Sequence, residues 1–242
     1  MSVVAVIGAA GGIGRVLVHD LLAEGRDVIA LDLPTSLKSH PLSCRTLPID
    51  LLDDASIAEA VSNIKQMNVT VTGLVNLAGY TKGIMPLFNI AMDDFDDTIA
   101  GNLRGYFAST RAMLPLIAQG GAVVTVASGL AQAVRPGHGA YAMAKAGILA
   151  MTKTMALEHA PRLRINAIAS GPVQTAFLTG GTGRSGEDQA SIIDVAQMAA
   201  AVPLGRIARP KDVTGPIRFL LSEESGFMTG QILWINGGAY MP

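Results

Sequence analysis

Tyr141 and Lys145 are the residues of this sequence whose types and spacing most directly suggest chemistry. They lie four positions apart, so that on a helix the phenol and the ammonium share one face, one turn apart. A nearby ammonium favours the phenolate, which would lower the pKa of Tyr141 toward the range in which a general acid–base catalyst works. Because such pairs are also common on solvated helices, this one predicts proton transfer only in combination with other features.

A glycine-rich turn near the start of the chain predicts a dinucleotide site. The apolar run Val3–Ile7 leads into Gly-Ala-Ala-Gly-Gly-Ile-Gly at residues 8–14, and helix-like periodicity follows. In a strand–turn–helix unit, glycines let the backbone approach a pyrophosphate whose charge rests on the helix N-terminus. The spacing G-x-x-x-G-x-G differs from the commonest dinucleotide fingerprint, and a tight turn without a ligand is the alternative.

Asp32 predicts which dinucleotide is bound. It ends the apolar run Val28–Leu31 and lies 18 residues beyond Gly14 (32 − 14). A carboxylate at this place accepts hydrogen bonds from the adenosine ribose hydroxyls and would repel a 2′-phosphate. No Arg or Lys follows before Lys38, so NAD is favoured over NADP.

These residues together resemble the short-chain dehydrogenase/reductase family in its single-domain form, over essentially the whole chain. The family's catalytic tetrad is matched by Asn102, Ser128, Tyr141 and Lys145, with a serine-to-tyrosine interval of 13 (141 − 128). The resemblance implies that Tyr141 exchanges a proton with the substrate oxygen during hydride transfer and that Ser128 orients this oxygen. It also implies that Lys145 holds the nicotinamide ribose and that Asn102 anchors a water linking Lys145 to solvent.

The same resemblance assigns residues to the cofactor in the glycine turn, after the second, third and fourth strands, on the catalytic helix and in the loop expected to hold the carboxamide. They are Gly8, Gly12, Ile13, Gly14, Asp32, Asp50, Leu51, Asn76, Ala78, Gly79, Tyr141, Lys145, Gly171, Val173 and Thr175. The sequence departs from the family pattern at Ile7, Leu77 and Ser170, and none of these departures removes a catalytic group.

Apolar runs that alternate with helical periodicity predict an α/β fold, a Rossmann-type doubly wound parallel sheet of about seven strands flanked by helices. The predicted strands are Val3–Ile7, Val28–Leu31, Arg45–Ile49, Leu74–Leu77, Val123–Val126, Ile165–Ile168 and Ile232–Ile235. The predicted helices are Gly12–Glu24, Ala55–Gln66, Asp93–Ala118, Tyr141–His159 and Lys211–Leu221. We expect a single dinucleotide-binding and catalytic domain over residues 1–242, within which residues 178–201 form a substrate lid.

Composition argues against several kinds of partner. The net charge is −1 without a basic run, so neither nucleic acid nor an anionic membrane is expected as a partner. Apolar runs are shorter than the roughly 20 residues of a membrane span and no signal peptide is recognisable, which predicts a cytoplasmic protein. The acidic residues at 93, 94, 96 and 97 stand at a helix start without a histidine, so no metal is assigned. Apolar and small residues on the two longest predicted helices favour a homotetramer, as in family members.

Three functions remain open from the sequence. The first is an NAD(H)-dependent oxidoreductase interconverting a secondary alcohol and a ketone, with a largely uncharged, modest-sized substrate. The second is a 3-oxoacyl-thioester reductase acting on acyl carrier protein or CoA substrates, a class that usually prefers NADPH, against which Asp32 argues. The third is a non-catalytic NAD-binding sensor or scaffold, which would be expected to have lost a member of the tetrad.

Overall fold

The computed structural model describes residues 1–179 and 194–242, and its centre is one parallel sheet of seven strands. The strands are β1 Ser2–Ile7, β2 Asp27–Asp32, β3 Arg45–Pro48, β4 Thr70–Asn76, β5 Ile117–Ser128, β6 Arg164–Ser170 and β7 Ile232–Ile235. Their order is β3-β2-β1-β4-β5-β6-β7, and every neighbouring pair is parallel. The predicted fold class is confirmed, with all seven strands at the expected places.

Helices cover both faces of the sheet, as the alternation of strand and helix requires. They are α1 Gly12–Ala23, α2 Pro34–Ser39, α3 Asp54–Gln66, α4 Met92–Ile99, α5 Gly105–Met113, α6 Gly139–His159, α7 Val195–Ala200 and α8 Pro210–Leu221. Side chains alternate across the sheet, so Val4 and Val6 of β1 pack with α1 and α8, while Ala5 and Ile7 pack with α3. The short helix α2 was not predicted from the sequence.

The prediction of one long helix over Asp93–Ala118 is wrong in two respects. A π-helical turn over Ala100–Arg104 separates α4 from α5, and β5 has already begun at Ile117. The end of the helix follows from Pro115, which has no N–H to donate to the carbonyl oxygen one turn earlier. A short 3-10 turn, Leu114–Leu116, therefore leads directly into β5.

The strand order decides where a ligand can bind. The chain moves outward from β1 through β2 to β3, and then returns to the other side of β1 to form β4. In an open α/β sheet, the carboxyl ends of the strands at such a reversal leave a crevice between diverging connections. The candidate site is therefore expected above β1 and β4. Within the described part of the chain, no helix combines the length and the apolar character needed to cross a bilayer.

Candidate active site

The glycine turn after β1 has the geometry of an anion cradle. Gly8 has a φ of +78°, and a methyl group at Gly14 would overlap the carbonyl oxygen of Gly8, so both positions require glycine. Helix α1 starts at this turn without a side-chain cap, which leaves its first peptide N–H groups to bind a ligand. Gly8, Gly12, Ile13 and Gly14 all line the large cavity described below. The backbone thus fits the pyrophosphate of a dinucleotide.

Asp32 lies at the end of β2 and is bonded to the glycine turn. Its Oδ2 accepts a hydrogen bond of 2.8 Å from the N–H of Ala10, and its Oδ1 accepts one of 2.8 Å from the N–H of Leu33. Burial raises the pKa of this carboxyl, and the hydrogen bonds from Leu33 and Ala10 act in the opposite direction. The sequence predicted a contact to ribose at Asp32; it did not predict that the same carboxylate supports the turn.

Two further cofactor candidates, Asp50 and Leu51, follow the neighbouring strand β3 at the same edge of the sheet as Asp32. The N–H of Ile49 donates to the carbonyl oxygen of Asp32 at 2.9 Å, which brings the ends of β2 and β3 together. Asp50 Oδ1 accepts a hydrogen bond of 2.9 Å from the N–H of Leu52. These residues are therefore placed beside Asp32, outside the wall of the large cavity.

Asn76 stays a predicted cofactor contact, and its side chain is held in the protein interior. Its side chain is fully buried beneath α5, where Nδ2 donates to Thr110 Oγ1 at 3.0 Å and to Ser109 Oγ at 3.2 Å. Its Oδ1 accepts from the N–H of Ala78 at 3.1 Å. Asn76 therefore shapes the turn that carries Ala78 and Gly79, and only Gly79 of these three lines the cavity.

The cavity has a volume of about 610 Å³ and extends from the glycine turn to the start of α6. Its lining includes three of the four tetrad residues (Ser128, Tyr141 and Lys145) as well as Gly171, Val173 and Thr175 from the loop after β6. An apolar part is formed mainly by Leu130, Ala133, Phe177, Leu178, Met198 and Val202. A cavity of this size that joins an anion cradle to a set of proton-donating groups can hold a cofactor end and a small substrate together.

Ser128, Tyr141 and Lys145 meet because β5 and α6 are packed against each other. Ser128 is the last residue of β5, and its hydroxyl is hydrogen-bonded to that of Tyr141. The Nζ of Lys145 lies over the ring of Tyr141, 5.5 Å from the ring centroid, and donates to the carbonyl oxygen of Val126 at 3.4 Å. Phe177 packs beside Tyr141 with 5.9 Å between ring centroids.

Asn102, the fourth predicted member, lies one layer beneath the cavity in the π-helical turn. Its Oδ1 accepts from the N–H of Tyr80 at 3.0 Å, and its Nδ2 donates to the carbonyl oxygen of Thr98 at 3.1 Å. A methyl group on Gly79 would lie 2.9 Å from Asn102 Oδ1 and 3.0 Å from Lys145 Nζ, so these two groups flank Gly79. The structure therefore brings all four tetrad positions together.

The spacing of Tyr141 and Lys145 predicted a lowered pKa for Tyr141, but the folded chain raises it. Burial raises the pKa of Tyr141, and the hydrogen bond with Ser128 only partly opposes this. Burial also lowers the pKa of Lys145 to about 7. The physical reason is that removal from water disfavours the charged form of both groups. The ammonium lies over the ring face of Tyr141, 5.5 Å from the ring centroid, and does not offset this effect.

The sequence around the tetrad also predicts Gln132, His138 and Tyr80 as polar substrate contacts, and of these three only His138 lines the cavity. Tyr80 does not line the cavity, because its hydroxyl donates to Asp97 Oδ2 at 2.7 Å. Gln132 is also outside the lining and accepts from the Tyr240 hydroxyl at 3.3 Å. The cavity wall also includes Asn236, Ala239 and Tyr240 near the C-terminus, and the glycine pair at 237 and 238 is a signal in the sequence that could have located this segment.

The predicted lid, residues 178–201, falls only partly on described residues. Residues 180–193 lie outside them. Of the remainder, Leu178 precedes this gap, while Met198 of α7 and Ala201 follow it, and all three line the cavity.

The chain is similar to known proteins over nearly its whole length. The family model described as Enoyl-(Acyl carrier protein) reductase matches residues 8–240. The 3-oxoacyl-[acyl-carrier-protein] reductase FabG of Thermotoga maritima is 34% identical, over 96% of this chain and 95% of that protein. An uncharacterized short-chain type dehydrogenase/reductase of Sinorhizobium fredii is also 34% identical over 98% of this chain, which spans 43% of that longer protein. The ligand-free aldohexose dehydrogenase of Thermoplasma acidophilum shares the fold, with a TM-score of 0.88, 24% identity and coverage of 100% of this chain and 96% of that one.

Proposed function

Because the chain belongs to the short-chain dehydrogenase/reductase family of oxidoreductases, which bind a nicotinamide cofactor, we propose that it interconverts a secondary alcohol and a ketone with NAD(H). The observation that carries this proposal is the arrangement of Ser128, Tyr141 and Lys145 on the wall of a cavity that begins at the glycine turn. A proton-transfer group and a dinucleotide cradle that share one cavity are the two requirements of hydride transfer to a carbonyl.

The proposed roles follow from the positions of the hydroxyl groups. In ketone reduction, the Tyr141 hydroxyl donates its proton to the substrate oxygen, and in alcohol oxidation the phenolate takes that proton back. Ser128 holds the same oxygen through its hydroxyl, which is already bonded to Tyr141. The bound nicotinamide supplies or accepts the hydride. Lys145 lies over the Tyr141 ring, where its charge stabilises the phenolate left after proton donation.

The raised pKa of Tyr141 affects the pH at which each direction of the reaction should run. A phenol whose pKa is raised by burial carries its proton at neutral pH and can donate it. Oxidation requires the phenolate, so it should demand a higher pH than reduction does. We therefore expect ketone reduction to be measurable near neutral pH and the rate of alcohol oxidation to increase with pH.

Asp32 supports NAD(H) as the cofactor. Its carboxylate stands at the end of β2 and would repel a 2′-phosphate, whereas ribose hydroxyls can donate to it. Each of its two carboxylate oxygens accepts one backbone hydrogen bond, and each can accept at least one more. A ribose therefore still has acceptors at this place.

The wall of the cavity supports a largely uncharged substrate. Leu130, Ala133, Phe177 and Leu178 provide an apolar surface near the reacting hydroxyls. Among the cationic groups on the wall, Lys82 is paired with Asp94 at 3.1 Å. Arg135 also lines the cavity but is exposed, so its charge is screened by water.

A 3-oxoacyl-thioester reductase is the second candidate, and the likeness to the FabG of Thermotoga maritima favours it. Such an enzyme would reduce a ketone with the same tetrad, but it would be expected to prefer NADPH. Asp32 argues against that cofactor. A non-catalytic NAD sensor is disfavoured because all four tetrad positions are present and close together.

The experiment is a substrate panel with both cofactor pairs. Secondary alcohols, ketones and a 3-oxoacyl thioester are assayed with NAD(H) and NADP(H), and kcat/KM is compared. We expect the best values for a neutral ketone with NADH. The Tyr141→Phe protein, purified in parallel, measures contaminating activity. Higher kcat/KM for the thioester with NADPH than for every simple ketone would replace this proposal with the second candidate.

A further inference from the structure

Tyr106 is a buried aromatic residue beneath the candidate site for which the sequence offered no role. It is the second residue of α5, and its side chain has no exposure to solvent. A tyrosine that is completely buried must satisfy its hydroxyl inside the protein, because an unpaired hydroxyl costs free energy.

The hydroxyl of Tyr106 joins the backbones of β4 and β5. It donates to the carbonyl oxygen of Asn76 at 2.6 Å and accepts from the N–H of Val126 at 2.7 Å. Asn76 is the last residue of β4 and pairs in register with Thr125, so the hydroxyl continues the connection where the strand pairing ends. The position of the Val126 peptide therefore depends on Tyr106.

The same peptide holds Lys145. The carbonyl oxygen of Val126 accepts a hydrogen bond from Lys145 Nζ at 3.4 Å. The Nζ also lies over the Tyr106 ring, 5.4 Å from its centroid, while it lies 5.5 Å from the centroid of Tyr141. Both distances are within the range in which the negative face of an aromatic ring attracts a cation. Lys145 is thus held by two tyrosine rings and by a carbonyl that Tyr106 positions.

We infer that Tyr106 is a positioning residue, which holds the Lys145 ammonium beside Tyr141 and favours its charged form. This role deepens the proposed function and rests on it. Burial opposes the charge of Lys145, whose pKa falls to about 7, and a ring face on the buried side counteracts that effect. The charge of Lys145 matters because it stabilises the phenolate formed when Tyr141 gives up its proton.

The direct test measures the pKa of Lys145 in Tyr106 variants by NMR. The chain contains six lysines, so protein labelled at the lysine Cε gives few signals, and Lys145→Met identifies the one of interest. Tyr106→Phe keeps the ring and deletes the hydroxyl, whereas Tyr106→Leu deletes both. A fluorinated phenylalanine at position 106 keeps the shape of Phe but weakens the negative ring face, so it tests the ring without changing the packing.

We expect the pKa of Lys145 to fall by about one unit in Tyr106→Leu and by a smaller amount in the fluorinated protein, relative to Tyr106→Phe. The matched control is Thr152→Val on α6, which removes a buried hydroxyl bonded to Thr125 at 2.7 Å and should leave this pKa unchanged. An unchanged Lys145 pKa in the fluorinated protein, whose fold is intact, would overturn the inference. A purely structural Tyr106 would lower thermal stability without moving this pKa.

Kinetics separate this inference from the proposed function. With an active ketone, Tyr106→Leu should lower kcat with a smaller change in KM, and the loss should grow as the pH rises through the Lys145 pKa. If the wild type turns over no compound in the panel, the proposed function fails while the NMR result still decides the role of Tyr106. If the wild type is active and the Lys145 pKa does not respond to the ring, the inference about Tyr106 fails alone.

Discussion

At the scale of single residues, burial sets the charge of the two groups that define the site. It favours the neutral phenol of Tyr141 and the neutral amine of Lys145, which is the opposite of the ion pair that their spacing suggested. The Ser128 hydroxyl and the two tyrosine rings counteract burial in favour of charge. Charge at this site is therefore the result of competing effects that are each sensitive to one side chain.

The first prediction concerns proton donation. Tyr141→Phe keeps the ring that packs beside Phe177 but removes the hydroxyl, so turnover should fall by about 10²–10⁴-fold, the usual contribution of a general acid–base group. Steady-state kinetics with the best ketone and NADH measures this loss. NADH binding followed by fluorescence and the thermal midpoint should both stay near the wild-type values. Activity within tenfold of wild type would contradict the assigned role.

The second prediction concerns stability and pH in the cofactor-free protein. The pKa of Lys145 is about 7 in the folded chain and near its usual value of 10.5 when unfolded, so between these values the unfolded chain binds more protons. The free energy of unfolding should therefore rise with pH above about 7, by at most about 1.4 kcal/mol per pH unit from this one group. Denaturant titrations at several pH values across this window measure the slope.

Two lysine variants isolate that contribution. Lys145→Met removes the buried titrating group, so its unfolding free energy should rise less steeply with pH than that of the wild type. Lys153→Met is the matched control, since Lys153 is exposed on the same helix, and it should keep the wild-type slope. Equal slopes in all three proteins would show that the pKa of Lys145 is not lowered in the folded chain.

At the scale of elements, the site depends on how connections after strands are held. The turn after β1 is bonded to the end of β2 through Asp32, and the turn after β4 is supported by the buried side chain of Asn76. Tyr80 holds both the π-helical turn and α4, because it donates from its backbone to Asn102 in the turn and from its hydroxyl to Asp97 in α4. Each of these contacts fixes the conformation of a backbone segment through a hydrogen bond to a side chain.

The third prediction separates the two roles of Asp32. Asp32→Ala removes the charge that repels a 2′-phosphate and the acceptors for the N–H groups of Ala10 in the glycine turn and of Leu33, so it should narrow or reverse the NAD(H) preference and lower stability by about 1–3 kcal/mol. Asp32→Asn removes the charge but keeps one carbonyl acceptor, so it should narrow the preference with a smaller loss of stability. The ratio of kcat/KM for NADH and NADPH, together with denaturant unfolding, tests both. A wild-type preference for NADPH would refute the cofactor assignment.

At the scale of the whole molecule, one face of α6 is left uncovered in the single chain. Met143, Ala146, Ala150 and Leu157 follow helical spacing along that face and are exposed, with Leu157 83% exposed. On α5, Phe107 is 43% exposed. Exposed apolar side chains that recur along one helix face are typical of contacts between subunits.

The fourth prediction is that these helix faces join subunits in a homotetramer. Light scattering at micromolar concentration should report about four times the mass of the 25.0 kDa chain. Ala150→Glu places a charge in the exposed face of α6 and should shift the protein toward smaller species. Gln66→Glu, at the exposed end of α3, adds the same charge elsewhere and should leave the mass unchanged. A stable wild-type monomer would count against the prediction.

The sequence by itself determined the features that are local along the chain. Alternating apolar runs and helical periodicity located all seven strands, because a strand buried on both faces needs continuous apolar residues. The glycines at 8, 12 and 14 were recognisable because a close backbone approach tolerates no other residue. The tetrad positions were recognisable from their resemblance to the family pattern, and Pro115 marks the place where the long predicted helix has to end.

Only the tertiary structure decided what surrounds those residues. The hydroxyl of Tyr106 meets Val126, 20 positions later in the chain, and the N–H of Ala10 meets Asp32, 22 positions later. No periodicity predicts such pairs, because they depend on how β-strands and helices pack after the chain has folded. The direction of each pKa was undecidable from the sequence for the same reason, since removal from water and contact with an aromatic face are properties of the packed interior.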